Sequence, residues 1–451
     1  MNPNIFREYD IRGVADRDLT DEFARDLGRA LGTFQRRLGH HRIAVGRDCR
    51  LSSDRLHAAL CEGLAEAGVH RIDVGRVPTP LLYFAVFHLD LDGGVQITGS
   101  HNPPDENGFK MMRGKASLFG DDVRKLREMI LARDFELPGG GTSEEVDVMP
   151  AYAGFMKGNI RLARRDLRFA IDAGNGAGGP AALAACNAVG LDPIPLLCEM
   201  DGRFPVHHPD PTEVHNVELL RRTVLERGLE FGVAFDGDAD RIGVIDEKGE
   251  ILWGDRLMIL LSRALLEERP GAAVLGEVKC SQTLYDDIEE HGGRPILWKT
   301  GHSLIKTKMK EEGALLAGEM SGHIFFADRF FGFDDAVYAM LRLAEIVARE
   351  RRPLSELLSD VPTTFSTPEL RVPCDDELKF GVVEKVLAHF ARTHEVVDVD
   401  GARIHFGDGW GLVRASNTQP VLVLRFEAES EARLAQIREE VEKVVEDARR
   451  A

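Results

Sequence analysis

Residues 23–68, FARDLGRALGTFQRRLGHHRIAVGRDCRLSSDRLHAALCEGLAEAG, change hydrophobic period twice. Phe23, Leu27, Leu31, Phe34 and Leu38 recur at helical spacing, the stripe of a helix with one buried face. The run Arg42-Ile43-Ala44-Val45-Gly46 is short and apolar, as a buried strand requires. Leu56, Leu60 and Leu64 mark a second helix; Ser52 or Ser53 is expected to cap its start and Gly68 to close it. Strands separated by helices predict an α/β fold with mixed or mostly parallel sheets. The alternation continues for about 360 residues.

Outward from this stretch the pattern repeats. Three pairs of apolar runs each end in a polar, glycine-bearing loop: Ile43–Asp48 with Val95–Ser100, Phe169–Gly176 with Phe231–Asp240, and Ala273–Ser281 with Ala314–Ser321. One α/β unit used three times accounts for them. Two linkers stand out, Pro138–Ser143 and Pro362–Pro368. After the second, strand runs at Arg403–Phe406, Gly411–Ala415 and Val421–Glu427 lead to a final helix striped by Leu434, Ile437, Val441 and Val444, with Ser430 as its cap. The expected organisation is three related α/β domains with mixed sheets, at 1–140, 141–250 and 251–362, plus a smaller α+β domain at 363–451.

Composition narrows the function classes. The 451 residues carry 57 Lys plus Arg against 75 Asp plus Glu, a net charge of −18. That disfavours a nucleic-acid or anionic-membrane wrapper, yet permits a local basic pocket for an anionic small molecule. Six cysteines with no CxxC spacing argue against a zinc ribbon and for free thiols in a reducing cytoplasm. The start has no long apolar segment, and no window reaches 18 uncharged apolar residues, so neither a signal peptide nor a membrane span is expected.

Four loops can carry chemistry. In Phe235-Asp236-Gly237-Asp238-Ala239-Asp240-Arg241, three carboxylates alternate between two apolar runs. Unpaired, they would repel one another, and a hard divalent cation resolves that repulsion. A calcium EF-hand is excluded because Arg241 stands where its turn glycine belongs; a solvated acidic turn is the competing reading. Thr98-Gly99-Ser100-His101-Asn102-Pro103-Pro104 ends an apolar run and presents Ser100 as a nucleophile or phosphoryl acceptor, against an ordinary turn-bonding serine. Gly318-Glu319-Met320-Ser321-Gly322-His323 suits a polyhydroxylated ligand, with Met320 turned the other way if the segment is extended; a plain polar turn is the alternative. Arg414-Ala415-Ser416-Asn417-Thr418 suits a phosphate dianion, or is a surface turn. Arg12, Lys110, Arg241, Lys279, Lys299 and His302 recur near predicted strand ends, which suggests a basic cleft in an acidic molecule.

Together with Phe6–Gly13, these loops in this order resemble the α-D-phosphohexomutase family, most closely its bacterial phosphomannomutase/phosphoglucomutase branch. The resemblance implies four domains around a central cleft, the last one mobile. It implies that Ser100 carries the phosphoryl group, and that Asp236, Asp238 and Asp240 bind Mg²⁺ with a phosphate oxygen of phospho-Ser100. Glu319 and Ser321 would meet sugar hydroxyls. Arg414, Ser416, Asn417 and Thr418 would hold the non-reacting phosphate. Tyr9, Arg12, His101, Lys110, Arg241, Lys279, His302 and His323 would line the cleft, with Lys110, Arg12, His101 and His302 as candidates for proton transfer. The implied reaction moves a phosphoryl group between the 1- and 6-positions of mannose or glucose phosphates through a hexose 1,6-bisphosphate. Met320, where phosphoglucosamine mutases tend to carry Gln, favours hexose phosphates over glucosamine phosphate. A metal-dependent phosphatase would leave Ser100 and the Arg414 loop unused; a non-catalytic sugar-phosphate sensor would lack Ser100 or a metal aspartate. The expected partners are small sugar phosphates, with no nucleic acid or membrane, and the expected state is a cytoplasmic monomer or weak dimer.

Overall fold

The computed structural model describes residues 2–417 and 419–450. Its first three units repeat one strand order. In the first, Glu106–Arg113 runs antiparallel to Gly93–Ile97, which is followed by parallel neighbours Arg42–Arg47 and His70–Arg76. In the second the order is Ile242–Asp246, Phe231–Phe235, Phe169–Asp172 and Ile194–Leu196, and in the third Ile324–Phe326, Leu316–Gly318, Ala273–Glu277 and Arg294–Trp298. Each unit is thus an antiparallel hairpin leading into a parallel sheet. The three pairs of runs noted in the sequence are in each case adjacent parallel strands, whose loops emerge at the same edge of the sheet.

The fourth unit is an antiparallel sheet carrying the helices Lys379–Phe390 and Glu431–Arg450. Ser430 Oγ caps the last helix by accepting from Arg433 N at 3.3 Å. Its buried stripe is Ile437, Val441, Val445 and Ala448, so Val444, expected in the core, flanks it one position away.

One continuous apolar core joins the first three units, from Ala44 to Val361. At roughly 1.5–3 kcal/mol per fully buried large aliphatic or aromatic side chain, that shared core binds the three together. The fourth unit has a core of its own and meets the third through the small cluster of Val278, Trp410 and Leu412 and through buried polar contacts, Arg403 donating to Val278 O at 2.7 Å and Ser281 Oγ to Glu427 at 2.9 Å. A separate core is what a domain able to move requires.

Two local expectations change. Ser143–Glu145 joins the first sheet beside His70–Arg76, so that sheet extends past the expected boundary at 140; three exposed polar residues give no strand pattern to read. Ser52 holds the N-cap position of the helix Ser53–Glu66, but its side chain makes no capping hydrogen bond. Ser53 Oγ donates to Asp48 at 2.5 Å, and Asn107 Nδ2 donates to both hydroxyls at 2.8 and 3.0 Å. All six cysteines are free. Among the described residues no helix is long and apolar enough to cross a membrane.

Candidate active site

A cleft of about 1720 Å³ opens between the four units. Tyr9, Arg12, Ser100, His101, Lys110, Arg241, Lys279, His302, Glu319, Ser321, His323, Arg414, Ser416 and Asn417 all line it. Lys299 does not; it is exposed at the end of Arg294–Trp298, and strand-end position alone does not select the cleft face. Thr418 lies outside the described residues.

Ser100 follows the strand Gly93–Ile97 and is buried, with φ +49°. A left-handed conformation in a non-glycine residue costs about 1–3 kcal/mol and persists only where the surroundings impose it. Here it aims Oγ across the unit boundary, donating to Asp236 Oδ2 at 2.7 Å, with His101 Nδ1 at 3.0 Å on the other side. The two loops meet closely because residue 237 is glycine: a Cβ there would lie 2.4 Å from the Ser100 carbonyl oxygen.

Asp236, Asp238 and Asp240 are fully buried, and each offers a carboxylate oxygen within 4.8 Å of the others. Asp236 Oδ1 accepts from the backbone N–H groups of Asp240 and Arg241 at 3.1 and 3.2 Å. Lys110 donates to Asp238 at 2.7 Å and to Asp240, and Thr79 Oγ1 donates to Asp238. Even so, Asp238 Oδ1 and Asp240 Oδ1 are buried with no hydrogen-bond donor. Burial, then Asp240 and Asp238, pushes Asp236 well above the usual carboxylate range. Two orphaned carboxylate oxygens beside a third carboxylate that resists ionisation form a donor set that fits a hard divalent cation.

Cations crowd the same wall. Burial disfavours the charge on Lys110, but Asp238 and Asp240 more than offset it and hold the pKa well above normal. Arg12 donates to Asp10 at 2.7 Å and to Asn102 at 3.0 Å. Burial, reinforced by Arg241 and Arg12, holds His101 well below its ordinary pKa; burial and Lys306 do the same to His302. Arg241 Nε donates to His323 Nε2 at 3.0 Å. That leaves the His323 proton on Nδ1, 3.1 Å from Asp334.

The third unit supplies the opposite wall. Glu319 Oε1 accepts from Gly301 N at 2.7 Å, and burial raises its pKa, partly countered by His323. The Gly318–His323 segment is a turn closed by Gly322 N to Glu319 O at 3.0 Å. Met320 therefore sits at a corner and lines the cleft beside Glu319 and Ser321, with its sulfur against Arg425, rather than facing away as an extended segment would place it. Lys279 pairs with Glu369 at 3.1 Å, and Arg414 Nε with Asp400 at 3.0 Å. Tyr9 ties three units together: its OH donates to Thr300 O at 3.0 Å and receives from Asn417 Nδ2 at 3.1 Å.

Several residues that set this geometry carried no sequence signal. Buried Glu277 accepts from Lys279 N at 3.2 Å, Met320 N at 3.3 Å and Thr300 Oγ1 at 2.5 Å, joining three cleft loops. Asp334, Arg425 and Arg50 act similarly from outside the motifs; a strand-end carboxylate such as Glu277 was the one readable hint.

The molecule these features define is a four-unit α/β protein whose loops converge on one central cleft. Phosphoglucomutase/phosphomannomutase family models match in order: alpha/beta/alpha domain I at residues 3–136, domain II at 150–249, domain III at 253–365 and the C-terminal domain at 369–444. A phosphomannomutase/phosphoglucomutase of Pseudomonas aeruginosa is 46% identical over 437 residues, covering 96% of this chain and 94% of that one. A phosphoglucomutase of Neisseria gonorrhoeae is 44% identical, covering 98% and 97%. The crystal structure of a family member from Burkholderia thailandensis superimposes with a TM-score of 0.94 at 43% identity, covering 99% and 98%. The chain belongs to the phosphoglucomutase/phosphomannomutase family of α-D-phosphohexomutases, in its bacterial branch.

Proposed function

We propose that this phosphohexomutase interconverts the 1- and 6-phosphates of mannose and glucose through phospho-Ser100 and a hexose 1,6-bisphosphate. The observation that carries the reading is Ser100 itself. A buried hydroxyl in a strained conformation, 2.7 Å from a carboxylate of the Asp236–Asp240 cluster, opens onto a cleft built by four units.

A 1-phosphosugar binds with its phosphate on Arg414, Ser416 and Asn417, and with its ring hydroxyls on Glu319 and Ser321. Its 6-hydroxyl then faces phospho-Ser100. The P–Oγ bond of the phosphoserine breaks as the new P–O6 bond forms, and the hydroxyl proton leaves to a nearby base. His101 and His302 offer imidazoles for it; Lys110 and Arg12 keep their protons and neutralise charge. Asp236, Asp238 and Asp240 would hold Mg²⁺, which would supply positive charge against the transferring phosphoryl group. The bisphosphate turns within the cleft, and Ser100 recovers a phosphoryl group from the 1-position. Small-ligand pockets ordinarily measure about 300–1,000 Å³, so about 1720 Å³ leaves room for that turn without release. The reading carries with it a cytoplasmic enzyme acting as a monomer or weak dimer.

Intact-mass measurement tests it. The wild type should carry one phosphate and Ser100→Ala none, with mutase turnover down by several orders of magnitude and the fold retained. Near-normal turnover of Ser100→Ala supplied with purified bisphosphate would sink the phosphoserine route.

A further inference from the structure

Arg50 lies outside the cleft lining and its side chain is fully buried, yet it spends its donors on the Ser100 loop. Nη2 donates to the carbonyl oxygens of Ser100 at 2.7 Å and Asn102 at 2.6 Å; Nη1 donates to those of Glu106 at 2.9 Å and Pro103. Four carbonyls of one loop thus converge on one guanidinium. Asp48 locks it in place: Oδ1 accepts from Arg50 N at 2.9 Å, and Oδ2 lies 3.3 Å from both Arg50 Nε and Gly99 N. The opposite face rests on the ring of Phe204 in the second unit, 5.2 Å from its centroid. Gly99 is shaped by the same group, since a Cβ there would lie 2.5 Å from Arg50 Cζ.

We infer that Arg50 is the positioning residue for phosphoryl transfer, a buried fork that holds Ser100 in its left-handed conformation and its Oγ on the metal loop. The inference rests on Ser100 being the phosphoryl carrier. A planar guanidinium reaches four carbonyls in fixed directions; a lysine ammonium at the same site retains the charge but not the fork. Because Arg50 lies outside the cleft and meets its loop residues only through their backbone carbonyls, its loss should move the chemical step and spare sugar-phosphate binding. Misplacing a reacting atom by about 1 Å costs about 100-fold in rate.

The decisive experiment compares wild type, Arg50→Lys and Gly99→Ala by steady-state kinetics on glucose 1-phosphate and by phosphate stoichiometry after incubation with glucose 1,6-bisphosphate. Expected are a kcat lowered about 100-fold in Arg50→Lys, a KM within about threefold of wild type, and a matching slowdown of Ser100 phosphorylation. Gly99→Ala, which keeps the arginine but crowds it, should show the same split and serves if Arg50→Lys fails to fold. Added guanidinium should restore part of the rate to Arg50→Ala. A kcat within threefold of wild type in both variants overturns the inference, as does a rise in KM that tracks the fall in kcat. A wild type that takes no phosphate on Ser100 overturns the parent reading instead, independently of what either variant does.

Discussion

The Ser100 loop and the Glu319 loop occupy one topological position. Each follows the strand that pairs with its unit's antiparallel strand, Gly93–Ile97 in one case and Leu316–Gly318 in the other, and each leads into that antiparallel strand. A carboxylate at the end of the neighbouring parallel strand, Arg42–Arg47 or Ala273–Glu277, supports each: Asp48 accepts from Gly99 N, and Glu277 from Met320 N. From that shared frame the loops diverge. Ser100 is driven into a left-handed backbone, its hydroxyl donating to Asp236 of the second unit, whereas Glu319 sits in a hydrogen-bonded turn, its carboxylate accepting from Gly301 N of its own unit while Gly322 O accepts from Ile242 N of the second at 3.0 Å. The repeated sheet supplies a position; the contacts around it decide whether that position presents a hydroxyl on a left-handed backbone or a carboxylate on a closed turn.

That contrast orders the expected effects. Beyond Ser100→Ala, the largest falls on the junction between the first two units. Asp238→Asn removes a carboxylate charge that also anchors Lys110 and Thr79, so turnover should fall about 100-fold and Mg²⁺ affinity with it, as titration calorimetry would show. Unchanged affinity and rate would mean that the cluster is only a structural knot. Glu319→Ala should cost less, about 10–100-fold in kcat/KM, because it removes a ligand contact and leaves the transfer geometry intact. It should impair mannose 1-phosphate and glucose 1-phosphate together; a loss confined to one sugar would show that Glu319 reads the 2-hydroxyl. In the wild type the two sugars should be turned over with efficiencies within about tenfold, about 1.4 kcal/mol. Glucosamine 1-phosphate should be clearly poorer, and finding it the best substrate would reverse the reading of Met320.

The smallest effect probes the scaffold rather than either loop. His57, in the helix Ser53–Glu66, meets Asp73 at 3.0 Å. Burial opposes its charge, but Asp73 and Cys61 together more than offset this and raise its pKa from 6.5 to about 9. A raised folded-state pKa contributes stability that is complete below about pH 6.5 and is lost as pH rises through about 9. His57→Gln should therefore be less stable than wild type by about 1–2 kcal/mol at pH 6, with the gap closing by pH 10. Urea melts at the two pH values check it, and turnover near neutrality should scarcely change.

The amino-acid sequence by itself determined the repeated α/β unit, the distinct final domain and the loops that meet in the cleft. These follow from patterns carried within a few residues: hydrophobic period, glycine-bearing strand ends, alternating carboxylates and a hydroxyl-rich turn. Tertiary structure alone decided which neighbours complete them. Arg50 lies 50 residues before Ser100 and Lys110 lies 128 before Asp238, and no local period reports on such pairs. The same limit explains Lys299, which shares the strand-end position of Lys279 but stands in solvent, and Met320, whose direction a turn reversed. Secondary structure answers to local periodicity and propensity, whereas a site depends on ångström-scale contacts between segments that only the packed core brings together.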